Sequence, residues 1–342
     1  MSAANLRGLQ ARVDVTDSMV ESLKHRRGRV SRPRWFGPLM VTPLLAILFV
    51  GARPDPVFQD ISLDPIVVAE PSTRPTLRLE VNAQVERWMT AFEGSRRAEF
   101  EYLLRQREVY APMIRAKLRE RGMPDELLYI PMIESDFSPL AVSRVSAVGM
   151  WQFMGPTAMQ YGLRVDEYVD ERRDPVAATD AALDYLAWLH DRFGGSWYLA
   201  AAAFNAGPGR MERILNRHAD GRFSAEDAYW DVLEFLPRET REYVPKMIAV
   251  TVLANDADQI GFDAGGVEPY VYDNVFVPGN TSLGRVAETL GVSQDVLWKL
   301  NPHLVRGVTP PNEMYGVRIP LGAGSTVVDG LSDRVPLRIT DD

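Results

Sequence analysis

The sequence predicts a mainly α protein in which one large helical domain is followed by a small α+β module. Three observations carry this. Over 81–262 apolar side chains recur at helical spacing, and strand-like alternation is scarce in the same stretch. Over 270–321 the pattern changes to strand, helix, helix, strand.

The elements follow in order. Val81, Val85, Trp88 and Phe92 make one apolar stripe and predict the first helix; a second runs from about Arg97 through Leu118. Gly122 stops it, and Pro124 with Asp125 and Glu126 starts a helix that carries Glu134. Pro131 kinks or shortens that helix. Further helices are expected near 155–161, 175–193, 198–204, 207–218 and 240–255. Tyr272 to Val277 alternates like a strand, 283–290 and 292–300 read as short helices, and Met314 to Pro320 reads as a second strand.

Composition narrows the function. The 342 residues suffice for more than one domain and a sizeable core. Cysteine is absent, which excludes disulfides, thiolate chemistry, a cysteine-bound metal and attachment of lipid to an N-terminal cysteine. Residues 1–52 hold eight basic and three acidic side chains, leaving 30 basic and 43 acidic in the remainder. So acidic a body argues against a nucleic-acid partner. His25, His190, His218 and His303 show no metal-binding spacing, and no phosphate-cradling glycine motif occurs; neither metal nor cofactor is implied.

The basic arm over 1–34 precedes an uncharged apolar segment at 35–52, about the shortest that spans a bilayer as a helix. Its basic flank predicts a cytoplasmic N-terminus and export of the rest. A retained anchor is favoured over a cleaved signal because Phe49-Val50-Gly51-Ala52-Arg53-Pro54 is a poor cleavage site. Residues 53–80, with Pro54, Pro56, Pro65, Pro71 and Pro75, read as an extended linker.

The chemistry centres on Glu134, set in the apolar run Leu127-Leu128-Tyr129-Ile130-Pro131-Met132-Ile133. At helical period it shares a face with Leu127 and Ile130, so its carboxyl points where apolar side chains point. Withdrawal from water destabilises the charged form and raises the pKa toward working pH, as a general acid requires. The structural alternative is a Glu paired with Arg144 or Arg172. Asp136 reads as a helix-end or surface residue.

Four motifs in order bear on these readings and favour the first. They are Glu134-Ser135, Gly149-Met150-Trp151-Gln152, Ala203-Phe204-Asn205-Ala206-Gly207, and Tyr243 within Glu239-Thr240-Arg241-Glu242-Tyr243-Val244-Pro245-Lys246. On them the chain resembles the lysozyme-like lytic transglycosylases of bacteria, and among these the membrane-bound lytic murein transglycosylase D type. The segment Asp170 to Thr179 also fits this type, and Phe204 stands where tyrosine is more usual. In the C-terminal stretch Gly279 to Leu283, Leu300-Asn301-Pro302 and Ile319-Pro320 resemble a LysM module, with an extra residue near Ser282 and a long loop containing Pro310-Pro311.

The resemblance implies a lysozyme-like transglycosylase domain over 81–262, a peptidoglycan-binding module over 270–321, and glycan strands of peptidoglycan as substrate on the periplasmic side. It makes Glu134 the catalytic acid, then base. Ser135 either binds near the reacting acetyl group, orients Glu134, or bonds its own helix backbone. Gln152 suits an acetamido group, and Gly149 lets backbone approach sugar. Asn205 bonds substrate or Glu134, or simply forms a turn; Phe204 keeps the ring of the usual tyrosine without its hydroxyl. Tyr243 either bonds Glu134 or is a satisfied core tyrosine. Arg144 and Ser146 sit in a loop able to line the cleft, whereas Met150, Trp151 and Phe153 read as core. Two further readings stay open, a lysozyme-type hydrolase with a second acid and a binding scaffold without turnover. Protein partners are not indicated.

Overall fold

The computed structural model describes residues 75–219, 226–263 and 265–323. The basic arm, the apolar segment at 35–52 and nearly all of the linker lie outside the described residues. Among the described residues no helix is long and apolar enough to cross a membrane.

Ten helices, α1 to α10, and three 3-10 turns precede the first strand among these residues. Helix α1 (Ala83–Glu93) begins where the Asn82 side-chain oxygen accepts from the amides of Gln84 and Val85, at 3.0 and 3.2 Å. Val85 and Phe92 are buried in its core-facing stripe, but Val81 lies outside the helix and is 46% exposed. The expected linker also ends earlier than residue 80. Leu77 is buried, and the Tyr198 hydroxyl donates to the carbonyl of Arg78, so the helical domain reaches back to at least Leu77.

Helix α2 (Arg97–Glu120) carries Lys117 and Arg119 in its last turn, where cations complement the helix dipole. The single helix expected after Pro124 is instead split into a 3-10 turn (Asp125–Leu128) and α3 (Tyr129–Ser135). The break falls where Pro131 needs it. Proline in the first turn of a new α-helix removes an N–H that would lack an intrahelical partner anyway.

The remaining helices of the domain are α4 (Gly155–Gln160), α5 (Pro175–Arg192), α6 (Trp197–Ala206), α7 (Pro208–His218), α8 (Asp227–Asp231), α9 (Arg238–Asn255) and α10 (Ala257–Ile260). Helix α6 is the hub, with Leu199, Ala200, Ala201, Ala202 and Ala203 all fully buried. Such small side chains let α5, α7 and α9 approach it closely, and α9 in turn packs on α1 and α3. Pro245 interrupts the hydrogen bonds of α9 and leaves the Arg241 carbonyl without its helical donor; the buried Tyr229 hydroxyl lies 3.1 Å from that carbonyl.

Residues 273–319 add β1 (Asp273–Val277), α11 (Leu283–Leu290), α12 (Gln294–Leu300) and β2 (Tyr315–Ile319). The two strands pair antiparallel, Asp273 opposite Ile319 and Val277 opposite Tyr315. The mainly α organisation with a small α+β module matches the expectation.

This module has its own core of Val275, Val277, Leu283, Val286, Leu297, Leu304, Val317 and Ile319, and Val169 of the helical domain is buried in it. The seat is polar as well. Arg318 of β2 binds both oxygens of Asp174 at 2.8 and 2.7 Å, the Asp170 amide donates to the His303 carbonyl at 2.9 Å, and the Val305 amide donates to the Tyr168 carbonyl at 3.0 Å. Asp174 also caps α5 through the amides of Val176 and Ala177. One buried carboxylate therefore starts a core helix and holds the C-terminal module.

Candidate active site

Glu134 stands in the last turn of α3, half-buried, where α3 packs on α9. The Tyr243 hydroxyl on α9 donates to Glu134 Oε1 at 2.6 Å. Burial pushes the Glu134 carboxyl up, the Tyr243 hydrogen bond opposes this, Glu239 raises it further and Lys246 lowers it; the result is about 7. Tyr243 is itself buried, and burial together with the adjacent carboxyl raises its phenol well above the ordinary value. Neither arginine considered for Glu134 pairs with it. Arg172 binds Asp170 at 2.8 Å, and Arg144 is exposed.

The second motif is tied to the first through Ser135, whose hydroxyl donates to the Met150 carbonyl at 2.8 Å and lies 3.4 Å from the Pro131 carbonyl of its own helix. Gln152 directs its amide nitrogen to the Gly149 carbonyl at 2.7 Å. A Cβ on Gly149 would lie 1.7 Å from the Arg172 carbonyl oxygen, and its φ is +83°. The glycine is therefore required by the close approach of residues 172–173, a packing reason that needs no sugar. Arg172 also reaches the Phe153 and Ser146 carbonyls at 3.4 and 3.3 Å. Met150, Trp151 and Phe153 are buried, and the Trp151 indole donates to Thr179 at 3.0 Å.

Backbone strain gathers in this loop. Among the described residues six non-glycine positions have positive φ, and Asp136, Phe137, Ser146 and Gln152 are four of them. Such conformations cost free energy and persist where surrounding contacts impose them. Asp136 sits at the C-terminal end of α3 in the left-handed region, as a helix-end residue, and burial raises its carboxyl somewhat.

Asn205 does not bond Glu134. Its amide nitrogen donates to Glu239 at 3.1 Å, and its carbonyl accepts from the Thr240 hydroxyl at 2.8 Å. Phe204 packs edge-on against Trp151 and Phe153 at 6.4 and 6.3 Å, and tilted against Tyr185 at 5.5 Å. Sequence reasoning missed Glu239 and Lys246 as members of the site. The signal was present, because positions 239, 243 and 246 fall on one helical face.

These motifs coincide with known families. Residues 111–225 match the Transglycosylase SLT domain, and residues 271–333 match the lytic transglycosylase MltD LysM-like domain. The chain is 35% identical over 196 residues to membrane-bound lytic murein transglycosylase D of Escherichia coli K12, covering 57% of this chain and 42% of that protein. It is 30% identical over 176 residues to peptidoglycan transglycosylase gp16 of Escherichia phage T7, covering 50% of this chain and 12% of that one. With the soluble lytic murein transglycosylase of E. coli K12 it shares 32% identity over 120 residues, 34% of this chain and 18% of the relative. The chain thus spans less than half the length of each of these relatives. It carries an SLT domain followed by a LysM-like domain.

Proposed function

We propose that this protein cleaves the β-1,4 bond between N-acetylmuramic acid and N-acetylglucosamine in peptidoglycan without consuming water, using Glu134 first as acid and then as base. The observation that carries this reading is the Glu134 carboxyl, half-buried and pushed up to about 7, with a phenol bound to one of its oxygens. Near neutral pH such a group can both donate and reclaim a proton.

In the first step Glu134 transfers its proton to the glycosidic oxygen, and the bond from that oxygen to the muramic anomeric carbon breaks. The neighbouring acetamido group stabilises the positive centre, as in substrate-assisted glycosidases. In the second step the Glu134 carboxylate takes the proton of the muramic 6-hydroxyl, whose oxygen bonds to the anomeric carbon. The product is a 1,6-anhydromuramic end, and Glu134 is again protonated. The Tyr243 hydrogen bond fixes the carboxyl's orientation through both steps. Ser135 keeps α3 in register with the loop that carries Gln152, the group suited to an acetamido oxygen or N–H.

Cell-envelope association accords with the membrane-bound relative. A retained anchor at 35–52, with the catalytic domain facing the periplasm, extends this reading, as does glycan binding by the LysM-like module.

A second reading, hydrolysis of lysozyme type, draws on one observation. Glu239 is a second acid close enough to raise the Glu134 carboxyl. Mass spectrometry of digested sacculi separates the two. Anhydro ends, lighter by one water, are expected; reducing muramic ends alone would establish the hydrolase. Glu134→Gln is expected to lower turnover at least about a thousandfold while keeping the fold. Unchanged glycan release by that variant would remove Glu134 from the chemistry.

A further inference from the structure

Helix α9 presents Glu239, Tyr243 and Lys246 on one face, and the middle residue bonds the Glu134 carboxyl. Tyr243 touches it, Glu239 lies one turn before Tyr243, and Lys246 lies one turn after. The two flanking residues carry opposite charges and are held differently. Glu239 is exposed, and the Asn205 amide fixes it at 3.1 Å; Asn205 is fixed in turn by the Thr240 hydroxyl. Lys246 is half-buried with its ammonium 5.6 Å from the centre of the Trp88 ring. Among the described residues it forms no ion pair. Arg96 stacks on the same indole at 5.2 Å, and the indole N–H donates to Glu242 at 2.9 Å.

We propose that Glu239 and Lys246, one turn to either side of the Tyr243 that bonds Glu134, are positioning residues whose opposite charges govern proton exchange at Glu134, with Asn205 acting through Glu239. This rests on the reading of Glu134 as catalytic acid and adds to it a division of labour along one helix. A lysine placed here to stabilise the fold would be expected to sit in an ion pair. Lys246 instead rests on an aromatic face, so its charge stays uncompensated by a direct partner. The other charges facing it are Arg96, which disfavours its protonation, and Asp136, Glu99 and Glu134, which favour it. Arg96 and Glu99 are largely spent on each other through a 2.7 Å hydrogen bond. The net effect at Glu134 is that Lys246 draws its proton affinity down while Glu239 draws it up. The amide of Asn205, in the third motif, then serves to keep the Glu239 carboxylate on the Glu134 side.

The test is the high-pH limb of kcat/KM on sacculi, where activity falls as Glu134 loses its proton. Lys246→Met is expected to move this limb up, and Glu239→Gln to move it down, each by about half a pH unit or more. Lys246→Arg should leave it near the native position, and Asn205→Ala should move it in the same direction as Glu239→Gln. Limbs that stay in place, or that both move the same way, would overturn the inference while leaving Glu134 as the acid. Loss of turnover at every pH in Glu239→Gln would also overturn it, by making Glu239 a reacting group. Glu239 is exposed, so this variant carries the test even if Lys246→Met fails to fold. The reading of Glu134 itself fails separately, through an active Glu134→Gln.

Discussion

Glu134 is half-buried and Asp174 buried, and the two carboxyls sit on opposite sides of their ordinary values. Burial works to raise each of them. At Glu134 the opposing groups are a neutral phenol and a lysine without direct contact, and a second acid adds to the rise. At Asp174 the Arg318 guanidinium binds both oxygens and the α5 amides donate as well, so the carboxyl is held below the ordinary range. The contrast shows that burial alone does not decide the direction of a shift. What decides it is whether the charged form is given donors and a counter-charge. One carboxyl is left free to exchange its proton, and the other is committed to holding two parts of the chain together.

The largest expected effect tests the committed side. Arg318→Met leaves Asp174 buried without its counter-charge and should cost about 3–5 kcal/mol, read from urea denaturation. Replacing both partners by apolar residues should cost less than Arg318→Met alone, because no charge is then stranded, although the α5 cap is still lost. A double variant less stable than the single one would mean that the pair itself, and not the stranded acid, dominates.

Gly149→Ala should be destabilising by about 2–4 kcal/mol, since the added carbon meets the backbone at residue 172 in a left-handed conformation. Activity should fall with it, because the Gln152 amide bonds the Gly149 carbonyl.

The proton-exchanging side predicts a smaller and pH-dependent effect. Glu134 moves from an ordinary 4.5 to about 7 on folding. Between those values the unfolded chain has released the proton that the folded protein still holds, so stability falls as pH rises through this window. Glu134→Gln removes that penalty. It should gain about 1–3 kcal/mol over the native protein at pH 8 and little at pH 4, measured by paired denaturation curves. Asp174 gives the reverse. Its contribution is full above the ordinary carboxylate pKa and is lost as pH falls through the lowered folded value. His303, which burial pushes down to about 4, adds to acid lability, because the unfolded chain binds its proton from about 6.5 downward.

The smallest effect expected is that of Tyr243→Phe. Losing the hydroxyl removes a hydrogen bond that favours the ionised carboxyl, so the high-pH limb should rise by about half a unit and kcat fall about tenfold. A limb that drops would show that the phenol supports the protonated form instead.

Much of this was legible in the chain. Local rules placed the helices because apolar spacing and helix stops are local, as with Val85, Trp88 and Phe92 in α1 and Gly122 after α2; the caps at Asn82 and Asp174 appear only in the structure. The same rules missed the split at Pro131, since a 3-10 turn and an α-helix share one apolar pattern. They also missed α8, which is too short to show a period. At the site, an apolar run around Glu134 was enough to foresee a raised carboxyl, because desolvation depends on what surrounds a group. Asn205 was seen but its partner was not, because a hydrogen bond to Glu239, 34 positions away, leaves no mark in local spacing.

By itself the sequence determined the helical class, the lone acid in apolar company and the order of the motif residues, because periodicity, helix stops and burial are encoded by near neighbours. Only the tertiary structure decided which groups meet. It set Tyr243 against Glu134, turned Asn205 toward Glu239, left Lys246 on an indole and joined Arg318 to Asp174, 144 residues apart. The physical reason is that electrostatic fields and hydrogen bonds act through space, so partners far apart in the chain are chosen by packing.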